Sequence, residues 1–123
     1  QSDAVTLHLT LNAETKGIIG AAELAAMKSD AVLVNTSRGP LVDEAALISS
    51  LRNRKIGGAA LDTFDVEPLP VDSPLRGLAN VIATPHLGYV TQETYRIYYG
   101  DAVEAVLAWH SGQPIRVLNG DKN

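Results

Sequence analysis

Short apolar runs alternate with stretches in which apolar residues recur every three or four positions, and each joint carries a turn or cap residue. Ala4 to Leu9 (AVTLHL) predicts a buried strand, within which His8 is expected to be a packed or hydrogen-bonded core histidine. Polar residues Asn12 to Lys16 lead to a short helix over Ala21 to Met27, with Glu23 in the first turn where a negative charge favours the helix dipole. Ala31 to Asn35 (AVLVN) is apolar almost throughout, the pattern of a strand covered on both faces, so helices are expected on both sides of the sheet. Asp43 is placed to cap a helix from Glu44 to about Lys55, closed by Gly57 and Gly58. Gly58 to Asp62 and Asn80 to Thr84 are two further strands. Between them, Thr63 to Ala79 holds Pro68, Pro70 and Pro74 and is expected to carry no regular structure. Loops of that length in compact domains are usually functional. Thr91 caps a last helix that runs to Ser111 and is about 30 Å long at 1.5 Å per residue, enough to span two domains. Its expected buried stripe is Tyr95, Tyr98, Tyr99, Ala102, Val103, Val106 and Trp109, with His110 favouring the dipole at its end.

Strands separated by helices imply parallel neighbours, because parallel pairing needs crossover connections. The expected class is α/β, a partial Rossmann-type parallel sheet of about four strands with flanking helices and a long C-terminal helix. No Gly-x-Gly-x-x-Gly occurs in the 123 residues, so the usual pyrophosphate-binding turn is lacking. Composition narrows the classes. With 10 Lys+Arg against 14 Asp+Glu the formal charge is -4, and no basic run is present to neutralise phosphates, so nucleic acid is not an expected partner. Apolar runs fall far short of the ~20 residues that cross a bilayer, and no membrane role is expected. Zero cysteines exclude disulfides and thiolate chemistry and fit a cytoplasmic protein. Asn35-Thr36-Ser37 matches a glycosylation sequon, but at the end of an apolar strand it reads as coincidence.

In an open parallel sheet ligands bind beyond the carboxyl ends of the strands. Thr36-Ser37-Arg38-Gly39-Pro40 follows one strand, Thr63 to Pro68 with Glu67 follows the next, and Pro85-His86-Leu87-Gly88 follows the last. One arginine, one glutamate and one histidine at successive strand ends suggest a single cleft. Arginine can hold a carboxylate through its fork and polarise a carbonyl. Histidine can exchange a proton with an alcohol oxygen near neutral pH, and a neighbouring glutamate would orient it. The trio suits interconversion of a hydroxy acid and an oxo acid. Plainer readings stand beside it: Arg38 as a surface arginine, Glu67 as a solvated loop residue, His86 as part of a stiff turn, Asp62 as a loop-capping carboxylate.

Four segments resemble the NAD(P)-dependent D-isomer-specific 2-hydroxyacid dehydrogenases, over Ser2 to about Leu118: His8-Leu9-Thr10 with Thr15 to Ile19; Met27-Lys28 through Val34 to Gly39 and Val42-Asp43; Ala60 to Phe64 with Glu67 to Pro70; and Ala83 to Gly88. The resemblance implies that Arg38 binds the substrate's carboxylate and carbonyl, that His86 is the general acid/base and that Glu67 is its partner. It implies further that Asp62 binds the nicotinamide carboxamide, that Thr36, Ser37 and Arg38 line the nicotinamide with His86 and Gly88 beside it, and that Leu9 and Thr10 lie by the adenosine. Glu67 argues against the formate-dehydrogenase branch, where glutamine pairs with the histidine. Thr10 and Tyr89 depart from the common pattern. The implied cofactor is NAD or NADP, the substrate a small 2-hydroxy or 2-oxo acid, and the assembly a homodimer. Residues 1–123 would be the C-terminal half of a nucleotide-binding domain, with the helix and tail from about residue 91 reaching toward a substrate domain whose N-terminal part is absent. The chain alone is then expected to be inactive and to self-associate through the open flank of its first strand. A competing reading is a non-catalytic, dinucleotide-sensing protein of the corepressor type; a third is a fragment without activity of its own.

Overall fold

The structure is a computed structural model and describes residues 2–118. Gln1 and residues 119–123, the two ends of the expected 1–123 domain, lie outside the described residues. Two units are distinguished, residues 1–88 and 89–123. The first contains β1 (Ala4–Leu7), α1 (Ala21–Ala26), β2 (Val32–Asn35), α2 (Glu44–Arg52), β3 (Gly58–Leu61) and β4 (Val81–Ala83), with 3-10 turns at Gly39–Leu41 and Pro74–Gly77. The second contains α3 (Gln92–His110). Among the described residues no helix is long and apolar enough to cross a membrane.

The four strands pair in parallel in chain order, β1-β2-β3-β4. Their last residues stand in one row, since Leu7 pairs with Asn35, Asn35 with Leu61 and Leu61 with Ala83. The same register puts Val5, Leu7, Leu33, Asn35, Ala59 and Leu61 on one face. That face packs with Leu24 of α1, Leu47 and Leu51 of α2, and Phe64 and Leu75 of the long loop in a single core cluster. The opposite face is open within the first unit: Thr6 is exposed, Val34 and Ala60 are half-buried, and Ile82 is 70% exposed. Within this unit, then, helices cover one side of the sheet. Right-handed crossovers that always step in the same direction stay on the same side of a sheet. Covering both sides requires the strand order to reverse, and among the described strands it does not.

Local chemistry explains most element ends. Gly20 N–H donates to Glu23 Oε2, opening α1, and Ala46 N–H donates to Asp43 Oδ1, opening α2 as expected. Helix α2 stops at Arg52, three residues before Lys55, where Asn53 caps it and Arg54 takes a left-handed φ of 52°. The glycine at 58 serves close approach instead of capping, because a Cβ there would lie 2.7 Å from the Asn80 carbonyl oxygen. The proline-rich loop is less irregular than expected. Pro74 at the first position and the Ser73 hydroxyl accepting from Leu75 N–H start a 3-10 turn, which drives Leu75 into the core.

Strand β1 ends at Leu7, so His8 is no core histidine; it is exposed, with Nε2 2.9 Å from Thr6 Oγ1. The expected buried stripe of α3 is likewise not buried. Thr91 caps the helix as expected, yet none of its residues is buried and Trp109 is 72% exposed. One helix and a short tail give an apolar stripe nothing of their own to pack against. Within that unit Tyr95 and Tyr99, one turn apart, meet edge to face with centroids 5.5 Å apart, and Arg116 bridges Asp101 and Glu104.

Candidate active site

The single row of strand ends sends four exits to one edge of the sheet. At the β2 exit, Asn35 is 1% exposed and does two things at once. Its Nδ2 donates to the Arg38 carbonyl at 2.8 Å and its Oδ1 accepts from Ser37 N–H at 3.1 Å. Ser37 in turn donates its hydroxyl to the Leu9 carbonyl at 2.6 Å, tying the β2 exit to the β1 exit. Arg38 is exposed with an extended backbone, and its Nη1 donates to the Ser37 carbonyl. Gly39 is required next: a Cβ there would lie 2.0 Å from the Phe64 carbonyl carbon, so only glycine lets the β2 exit press against the β3 exit. His8, Leu9, Thr10, Leu11, Ser37 and Arg38 line a cavity of about 480 Å³. Thr36 is exposed beside it and does not line it.

The β3 and β4 exits form a second constellation. His86 Nδ1 lies 2.7 Å from Glu67 Oε2, and Glu67 Oε1 accepts from Phe64 N–H at 2.9 Å. Burial alone would raise the Glu67 carboxyl. The hydrogen bonds from His86 and Phe64, with the charges of His86 and Arg38, outweigh it and hold the group below the usual glutamate range. A cavity of about 490 Å³ is lined by Phe64, Glu67 and His86, among others. Arg38 does not line it, although its positive charge acts on Glu67. The structure thus joins His86 to Glu67 directly, groups Leu9, Thr10, Ser37 and Arg38 around the other cavity, and leaves Thr36 at the margin.

His86 sits at φ 55°, a left-handed conformation that is uncommon for a residue with a side chain and costs roughly 1–3 kcal/mol. Asp62, 5% exposed at the end of β3, fixes it. Oδ1 accepts from the Thr84 hydroxyl and from Leu87 N–H at 3.0 Å, and Oδ2 accepts from Gly88 N–H at 2.8 Å. Burial would raise this carboxyl too, but those three donors and the charge of His86 bring it below the ordinary aspartate range. Asp62 therefore does what its plainer reading described, capping the loop that follows it in space. An ionised carboxylate offers about four acceptor positions, of which three are occupied here, so one is left for a further donor.

Sequence reasoning passed over Asn35 as a site residue, although a polar residue closing an apolar run was the available signal. Among the described residues no group of three His, Cys, Asp or Glu is placed to hold a metal ion.

Residues 1–88 match the family model described as D-isomer specific 2-hydroxyacid dehydrogenase, NAD binding domain. The glyoxylate/hydroxypyruvate reductase B of Escherichia fergusonii is 46% identical over 123 residues, which are 100% of this chain and 36% of that protein. The chain spans about a third of the length of that relative. A D-isomer specific 2-hydroxyacid dehydrogenase from Xanthobacter autotrophicus Py2, solved in complex with NADPH and MES, superposes with TM-score 0.74 at 43% identity, covering 94% of this chain and 47% of that one. The D-lactate dehydrogenase of Lactobacillus jensenii, solved with NAD+, gives 0.81 at 33% identity, covering 98% and 40%. The match over residues 1–88 takes in every exit described above, and the chain belongs to the D-isomer specific 2-hydroxyacid dehydrogenases, through their NAD-binding domain.

Proposed function

We propose that this chain is the catalytic portion of a longer oxidoreductase that interconverts a 2-oxo acid and a D-2-hydroxy acid, with NAD or NADP as hydride carrier. The reductase of Escherichia fergusonii is named for glyoxylate and hydroxypyruvate, and these are the proposed substrates. The observation that carries the reading is the 2.7 Å contact between His86 Nδ1 and Glu67 Oε2 at the carboxyl edge of a parallel sheet. It turns Nε2 toward proton exchange with the substrate oxygen. Glu67, held ionised, stabilises the imidazolium that forms when the hydroxy acid is oxidised. Arg38 grips the carboxylate through its fork and polarises the neighbouring carbonyl.

The residues present fit part of a dinucleotide, with Leu9 and Thr10 toward the adenosine and Ser37 and Arg38 toward the nicotinamide. The cavity at Leu9, Thr10, Ser37 and Arg38 lies beyond the strand ends, where such cofactors bind in open α/β sheets. When bound beside Ser37 and Arg38, the nicotinamide would supply the hydride. Thr36 would flank it, Gly88 and His86 would close the substrate side, and the remaining acceptor position of Asp62 suits a carboxamide N–H. The chain has no glycine-rich turn for the pyrophosphate, so this proposal places that contact elsewhere in the longer protein and expects the 123 residues alone to be inactive.

The test is oxidation of NADH and of NADPH by the intact protein with glyoxylate or hydroxypyruvate, followed by reduced-nicotinamide absorbance. Turnover that is lost when His86 is replaced supports the reading. Cofactor binding without turnover of any 2-oxo acid would instead favour the dinucleotide-sensing alternative.

A further inference from the structure

Arg76 belongs to no part of the site as the sequence outlined it. It stands in the 3-10 turn Pro74–Gly77, whose Leu75 is 2% exposed in the core and donates its N–H to the Ser73 hydroxyl. From that anchored position its guanidinium reaches back along the chain. Nε donates to the Pro70 carbonyl at 2.8 Å and Nη2 to the Leu69 carbonyl at 2.6 Å. Those carbonyls follow directly on Glu67-Pro68, the segment that brings Glu67 to His86, and Arg76 lines the same cavity as Glu67 and His86.

The segment has a reason to need an outside donor. Pro68 and Pro70 carry no N–H, so the chain from Glu67 to Pro70 can donate little of its own to the rest of the fold. Ser73 N–H bonds the Pro70 carbonyl at 3.1 Å, and the guanidinium adds two charge-assisted bonds from a rigid fork. Upstream, the Glu67 side chain bonds Phe64 N–H and His86, and Leu69 packs against the core cluster, which leaves the Leu69 and Pro70 carbonyls as the points the guanidinium holds. We propose that Arg76 is a positioning residue for the reaction proposed above: by holding the Leu69 and Pro70 carbonyls against a core-anchored turn, it keeps the Glu67 carboxylate within hydrogen-bond reach of His86. The inference rests on the 2-oxo acid reductase reading for its catalytic consequence, and on geometry alone for the clamp.

Two variants of the intact protein, Arg76→Leu and Arg76→Lys, separate these parts. Amide hydrogen exchange is followed at Phe64, whose N–H is bonded to Glu67, and at Ala59 and Leu47 as controls for the fold. Arg76→Leu is expected to speed exchange at Phe64 about tenfold with the controls unchanged, and to lower kcat about tenfold with KM moving less than about twofold, a part of what the two lost charge-assisted bonds contribute. Arg76→Lys keeps the charge without the fork and should fall between. Unchanged exchange at Phe64 overturns the clamp. A raised KM with kcat intact also overturns it, because Arg76 would then touch substrate itself. If Arg76→Leu loosens the control amides, the Arg76→Lys comparison decides by the same readings. Should the intact protein reduce no 2-oxo acid, the functional reading falls while the exchange result still judges the clamp.

Discussion

The exits from β2 and β4 each deliver a cationic or ionisable side chain to the same edge of the sheet, and they are held in different ways. Asn35, a neutral amide, fastens residues 37 and 38 by one donated and one accepted bond, on a backbone that is extended at Arg38. Asp62, an ionised carboxylate, fastens residues 84, 87 and 88 by three accepted bonds around a left-handed His86. Hydrogen bonds to a charged acceptor are roughly twice as strong as neutral ones. The stronger clamp thus falls where the backbone is strained and where, in the proposed reaction, a proton moves over a short, fixed distance. Arg38, proposed to capture an anion, would work from a long side chain and tolerate a looser base.

Breaking the comparison at the reacting groups should give the largest effects. His86→Ala is expected to lower kcat of the intact enzyme about 10²-fold or more, the scale of a positioned acid/base, measured by steady-state kinetics; near-normal turnover would remove His86 from the mechanism. Arg38→Lys should cost about 30-fold in kcat/KM, because lysine keeps the charge and loses the fork. A value close to that of the parent enzyme would show that the fork is not used.

The clamps themselves come next. Asp62→Asn preserves shape but turns an acceptor into a donor facing N–H groups, and should destabilise the fold by about 2 kcal/mol, the cost of leaving buried donors unpaired; denaturant unfolding measures it. Asn35→Ala should cost about 1 kcal/mol, two ordinary neutral bonds at a buried site after partial solvation, and so less than Asp62→Asn. Equal losses would erase the distinction between the two exits.

The smallest effect is one of pH. Asp62 and Glu67 both lie below their ordinary ranges when folded. Their contribution to stability is therefore fully present above the ordinary carboxylate pKa of about 4 and is lost as pH falls through the lower folded values. Unfolding free energy followed from neutral pH downward should fall less steeply in Asp62→Asn than in the parent, and identical slopes would mean that the carboxylate is not what holds the β4 exit.

The sequence revealed burial demand more readily than the partner that meets it. AVLVN marks a strand because every residue but the last is apolar, and Val32–Asn35 is that strand. Nothing in the run tells that crossovers stepping one way leave Val34 on the open face. The stripe Tyr95 to Trp109 has the spacing of a packed helix face, and spacing carries no record of what packs on it. At the site, the strand-end arginine, glutamate and histidine were visible because chemistry favours those residue types at those positions. The bonds from Asp62 to Leu87 and Gly88 join residues 25 and 26 positions apart. Such pairings depend on register between strands, as does the contact of Gly39 with Phe64, and local pattern does not encode them. Arg76 was hidden for the opposite reason: its targets, six and seven residues back, are carbonyls, which every sequence has everywhere.

Because Leu7, Asn35, Leu61 and Ala83 end in register, the frame and the chemistry can be edited separately. Most of the large buried side chains belong to the strands, α1 and α2, whereas the segments 8–10, 36–38 and 84–88 of three exits, after β1, β2 and β4, place no apolar side chain in the core cluster. The β3 exit is the exception, since it contributes Phe64. Transplanting segments 8–10, 36–38 or 84–88 from another member of the fold should therefore change what is bound without rebuilding the interior. A graft at 62–67 would have to bring its own replacement for Phe64 and a partner as small as Gly39.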